Sequence, residues 1–160
     1  MNLQTPSLLD AALVTTKAFP AADANNTSTA LAIGTYDGTT ASAQYARHDS
    51  LELQVTLPAA LGLVEAKTLT LTPMSSTDNA ETDAFARIPQ LSAVVITGKA
   101  GNGMPAAEGS GWELDASGNV VVSWPLPRKL KKYVAVNVAL LAAGGTLTAS
   151  SYTVSVIGYK

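Results

Sequence analysis

The chain has 160 residues, no cysteine and one histidine, and its net charge is −2. That length fits one domain, in which burial of roughly 68% of the unfolded surface supplies a core without staples. The missing cysteines exclude a disulfide framework, a thiolate metal site and a Cys nucleophile, and the slight acidity argues against nucleic acid as a partner.

Charged residues make up 14% of the chain, against about 25% in an ordinary globular domain. Ala, Thr, Ser and Gly take their place, and a surface of that kind favours lasting association because few ions must be desolvated on docking. No charged segment leads into an apolar one at the start, and no apolar run approaches the ~18 residues of a span, so neither a secretory leader nor a membrane span is expected.

The opening carries Leu8, Leu9, Ala12 and Leu13, which suit one face of a helical turn, with Ser7 and Asp10 as caps. Val14-Thr15-Thr16 and Phe19-Pro20 argue instead for an extended arm. A polar linker of small residues follows at 21–30, so the chain divides into an arm and linker over 1–29 and a β domain over 30–160. Ala30 to Ile33 is a short apolar run ended by Gly34, and Asp37-Gly38 is a turn signal.

Leu51, Leu53, Val55 and Leu57 alternate with polar residues up to Pro58, the clearest half-buried strand in the chain. The stretch 59–66 is a loop or one helical turn. Leu69 and Leu71 alternate with Thr68, Thr70 and Thr72, while 73–83 reads as polar and turn-like. Residues 85–88 form a short strand and 91–97 a buried one. Trp112 to Asp115 and Val120 to Trp124 flank Ala116-Ser117-Gly118-Asn119, a hairpin signature across which the two indoles are placed to pair.

The last third holds the longest alternation, Val134, Val136, Val138 and Leu140, then Ala143-Gly144-Gly145, then Tyr152, Val154 and Val156. Read alone, it predicts an antiparallel hairpin around a glycine turn. Leu147 and Ala149 are out of phase with the second run, which predicts a bulge near Ser150-Ser151. About eight strands with almost no helix mean an all-β chain, an antiparallel β-sandwich of jelly-roll type with an extended N-terminal arm.

Chemistry is scarce. His48, beside Asp49, has no Gly-x-Ser-x-Gly elbow to serve and too few companions for a metal site. Gly98-Lys99-Ala100-Gly101-Asn102-Gly103 lacks the spacing of a phosphate loop, since the Lys comes early and Pro105 blocks a following helix. Asp78, Asn79, Glu81 and Asp83 hold acids near one another without the calcium-loop spacing. No catalytic residue, cofactor or metal is expected. Arg128, Lys129, Lys131 and Lys132 are the one concentrated charge feature. They read as solubilising charge at a strand entrance, as a dock for an acidic partner surface, or as a nucleic-acid contact that lacks interleaved aromatics.

Several motifs occur in a telling order: SLLDAALVTTKAF, ALAIG, SLELQVTLP, KTLTLT and LPRKLKKYVAVNVALLAAGGTLTAS. Together they resemble the small cement (decoration) proteins of tailed-bacteriophage capsids. The closing positions are Leu126, Pro127, Lys132, Tyr133, Val134, Val136, Gly145 and Thr146; Lys132-Tyr133 stands where the family usually has Arg-Tyr, and 98–111 looks like an insertion. The resemblance implies a jelly-roll protein on the outer surface of a virion, assembled in the host bacterial cytoplasm. It would bind and bridge major capsid protein subunits as a homodimer, or a trimer, without touching nucleic acid or membrane. Candidate partner contacts are then Leu8, Leu9, Leu13 and Phe19 in the arm, and Arg128, Lys129, Lys131, Lys132 and Tyr133. The alternative is a virion-surface carbohydrate-binding module with a platform drawn from Trp112, Trp124, Tyr36 and Tyr45.

Overall fold

A computed structural model describes residues 6–8, 13–34, 50–99, 111–141 and 147–159. The described strands form two antiparallel sheets packed face to face, a β-sandwich. The first sheet contains β1 (Pro6–Leu8), β2 (Val14–Ala18), β5 (Ser50–Leu57), β9 (Glu113–Leu114), β10 (Val120–Pro125) and β12 (Ser151–Tyr159). The second contains β3 (Ala24–Thr27), β4 (Leu31–Ala32), β6 (Thr68–Ser76), β7 (Ala86–Arg87), β8 (Val94–Thr97) and β11 (Tyr133–Leu141).

The alternating runs do what period two requires. Leu51, Leu53, Val55 and Leu57 of β5 are all buried, as are Val134, Val136, Val138 and Leu140 of β11. These side chains meet Val120, Val122 and Trp124 of β10 and Tyr152, Val154 and Val156 of β12 in one core.

Alternation also predicts a hairpin between the last two long strands, and there the structure differs. β11 pairs with β6, β3 and β4, whereas β12 pairs with β5, β2 and β1, so the two strands lie in opposite sheets. A run with one buried face carries no mark of which neighbour it pairs with. The glycines at 144 and 145 lie outside the described residues. Leu147 and Ala149 pack on the core ahead of β12 instead of marking a bulge within it.

The same crossing recurs along the chain. β5 is followed by β6 in the other sheet, and β10 by β11. β1 and β2 share one edge of β12, β3 and β4 one edge of β11, and β7 and β8 one edge of β6. The first sheet therefore runs β1/β2-β12-β5-β10-β9, and the second β3/β4-β11-β6-β7/β8.

Two expectations on individual segments are corrected. Residues 73–76 continue β6 through Pro73. The Ile88 amide donates to the Pro73 carbonyl at 3.0 Å, so the missing proline N–H faces the gap where β7 ends and β8 has not begun. The segment read as arm and linker is an edging strap across its described residues: β2 borders the first sheet and β3 the second. Leu8 stands opposite Ile157 and Val14 opposite Ser155, and Leu13, just ahead of β2, is buried in the core.

The β9–β10 hairpin forms where the sequence places it. Asp115 accepts from the amides of Ser117 and Asn119, and Gly118 takes the left-handed φ of 78° that its turn requires. Its register sets Glu113 opposite Val121, which leaves Trp124 beyond the end of β9 and opposite Leu53. The indoles therefore do not pair across the hairpin.

Candidate partner-binding surface

The basic segment, 126–132, links β10 of the first sheet to β11 of the second. Apolar residues anchor it. Leu126 is buried and its amide donates to the Leu51 carbonyl at 2.8 Å, while Leu130 packs on the core. That phasing turns Arg128, Lys129 and Lys132 outward, and all three are exposed.

The four cations are not equivalent. Lys131 Nζ lies 2.8 and 3.0 Å from the two carboxylate oxygens of Asp83, which ties 126–132 to the loop after β6. The hydrogen bond from Lys131 leads the causes that pull the Asp83 carboxyl down to about 2, helped by the amide and hydroxyl of Thr77. Lys132 Nζ sits 5.2 Å from the Tyr133 ring centroid. The Lys132 carbonyl accepts from the amides of Ile33 and Gly34, which pins the strap to the start of β11.

The loop after β6 is knotted by its own polar groups. The buried Ser76 hydroxyl donates to the Asp83 carbonyl at 2.6 Å and accepts from the Ala80 amide at 3.0 Å. Asp78 accepts from the Thr82 hydroxyl and from the amides of Thr82 and Asp83. The Thr82 hydroxyl is the main cause holding the Asp78 carboxyl below its usual range. These carboxylates are occupied by donors of the chain itself, and among the described residues no group of acids and histidines suits a metal ion.

The arm contacts divide differently from the expectation. Leu13 is 2% exposed and lies in the core, so it offers nothing to a partner in this conformation. Phe19 packs against the same core with its ring centroid 5.2 Å from that of Tyr152. An edge strand over a sandwich sends alternate side chains inward, and these two occupy such positions. Leu8 closes β1 opposite Ile157, and Leu9 lies outside the described residues. Tyr133 is half-buried at the start of β11.

Both tryptophans are 5% exposed, and Trp124 Nε1 donates to the Ser92 carbonyl at 2.8 Å, so neither indole face presents a sugar-stacking platform. Tyr36, Tyr45 and His48 lie outside the described residues, as does 100–110 of the glycine-rich stretch. The Gly98 amide is spent on the Lys67 carbonyl at 2.8 Å and is not free to cradle a phosphate.

Sequence reasoning missed two features. One is an open groove of about 440 Å³ on the outward side of the first sheet, lined by Glu52, Trp112, Glu113, Val121, Ser123 and Tyr159. Burial, then the charge and hydrogen bond of Glu52, then Glu113, push the Tyr159 phenol up. The other is Asn26, whose amide donates to the Ala18 carbonyl at 2.8 Å while its carbonyl accepts from the Tyr152 hydroxyl at 3.0 Å. Asn26 thereby fastens the second sheet to the first. Its sequence context, Asn25-Asn26-Thr27-Ser28, signals only polarity. No family model matches the chain, and neither the curated proteins nor the solved structures contain a match to it.

Proposed function

We propose that this chain is a structural virion protein that binds the outer surface of an icosahedral phage capsid, self-associates, and bridges neighbouring major capsid subunits. The strand order supports reading the sandwich as a jelly roll: the chain crosses between the sheets after β2, β4, β5, β8, β10 and β11, and β1 near the start pairs with β12 near the end. The observation that carries the functional reading is the anchored basic segment. Buried Leu126 and packed Leu130 hold it at one end of the sandwich, and Arg128, Lys129 and Lys132 project from it.

Such cations steer an acidic surface into register, while the charge-poor sandwich supplies contact area that costs little to desolvate. Stabilising a shell in this way uses buried area across a seam and needs no reacting group. A specific contact of that kind buries about 1,000 Å² or more.

The test is co-sedimentation with empty shells of the phage's major capsid protein. Saturable binding at a fixed ratio is expected, with loss of binding in the triple variant R128S/K129S/K132S. Lys131 is left in place because its removal would also release Asp83 and disturb the neighbouring loop. Absence of the chain from the shell fraction overturns the reading.

A further inference from the structure

We infer that the groove on the outward side of the first sheet receives an extended segment of a partner protein, with an arginine or lysine side chain set between Glu52 and Glu113. The inference rests on the reading above for who the partner is and deepens it by naming what that partner carries. Its binding assay needs no shell.

The groove opens where two strands part. β9 pairs with β10 at Val120 and Val121, and Gly111 and Trp112, just ahead of β9, line the groove together with Val121 and Ser123 of β10. The amide of Leu126 donates to the Leu51 carbonyl, which sets the phase of β10: the backbone groups of Trp124 and Val122 also face β5. Those of Ser123 therefore face the other way, on the side where β9 has ended among the described residues. Pro125, the next residue in that phase, has no N–H to leave open. Extended segments add to such an edge through main-chain hydrogen bonds, and their alternate side chains supply specificity.

Charge names the side chain. Glu52 on β5 and Glu113 on β9 flank β10, and both act on the Tyr159 phenol, whose hydroxyl donates to Glu52. They thus face one space from two sides. No lysine or arginine lines that space, and among the described residues the ion pair is that of Lys131 and Asp83. A guanidinium or ammonium there gains charge-assisted hydrogen bonds, while its aliphatic stem lies along Val121, Trp112 and Tyr159. A volume of about 440 Å³ is far larger than a bare ion, and among the described residues no group of acids and histidines suits a metal.

The groove also adjoins the basic segment. Glu52 stands opposite Pro125, the residue before Leu126. A partner has to match both signs side by side, a cation in the groove and acids against Arg128, Lys129 and Lys132, and that arrangement fixes the register of docking.

The test is a two-dimensional NMR titration of the full chain with a blocked peptide of sequence TVRVT. Saturable shifts are expected at Trp112, Ser123 and Tyr159. E52Q/E113Q, which keeps side-chain size on the solvent face, raises the dissociation constant at least ~10-fold, and the amide spectrum reports its fold in the same experiment. E65Q/E81Q makes the same charge change at exposed positions outside the groove and leaves binding unchanged. Citrulline in place of the peptide's arginine weakens binding as much as E52Q/E113Q does. No saturable shift at the groove, binding that survives E52Q/E113Q or the citrulline exchange, or an equal loss in E65Q/E81Q overturns the inference. Shell binding without peptide binding overturns it and leaves the capsid reading intact; peptide binding through the two glutamates by a chain that never pellets with shells does the reverse.

Discussion

The chain crosses between sheets through 19–23, in the N-terminal strap, and again through 126–132, in the basic segment, and the two crossings are held by different physics. The strap sinks apolar side chains on both flanks, Leu13 before the corner and Leu31 and Ile33 after it, and closes the seam with Asn26 between Ala18 and Tyr152. The basic segment has Leu126 and Leu130 beneath it, but its polar fastening is an ion pair whose side chains remain 38% and 32% exposed. The second fastening is a charge pair that salt screens, whereas the first joins neutral groups. A chain can therefore use one crossing to set the fold and leave the other to meet a partner.

The largest effect that would break this contrast comes from the strap. Ile33 is fully buried, and Ile33→Ala is expected to cost about 2–5 kcal/mol in urea unfolding. A cost below 1 kcal/mol would mean, on the scale of ordinary surface substitutions, that the strap is peripheral.

Tyr152 sharpens the comparison at intermediate size. Removing its hydroxyl by Tyr152→Phe leaves the Asn26 carbonyl without its donor and is expected to cost about 1 kcal/mol. Burial pushes the phenol up from 10.0 to about 12. Folding thus favours the protonated form, and that stabilisation is complete below pH 10 and lost as pH rises through about 12. Ultraviolet titration should show one tyrosine ionising only there, and Tyr152→Phe should remove that step.

The smallest effect belongs to the basic segment. Asp83 is depressed from 3.8 to about 2, so its contribution is full above the unfolded value and disappears as pH falls toward the folded one. Acid unfolding followed by circular dichroism should show a decline in stability across that window, flattened in Asp83→Asn. An unchanged acid limb in the variant would place the link between the two loops elsewhere.

Much of the fold was legible along the chain. The β5 run, the β9–β10 turn chemistry of Asp115 and Gly118, and the two long closing strands follow from side-chain period and turn preference, which are local properties. The candidate surface was legible only in outline. Four cations in five residues announce a basic segment, yet nothing local says that Lys131 is claimed by Asp83, 48 residues earlier. Leu13 and Phe19 read as free apolar contacts because a short apolar stretch looks the same on a mobile arm and on an edge strand.

Sequence alone thus determined that the chain is all-β, where the cores of its long strands lie and which face of each is apolar, because alternation and glycine placement act within a few residues. The tertiary structure alone decided the partners. It sent β11 and β12 to opposite sheets, ran the strap along both of them, and spent Asn26 on a seam between residues 126 positions apart. Pairing follows from packing two apolar faces against each other and satisfying every edge at once, and no single stretch of residues carries that sum.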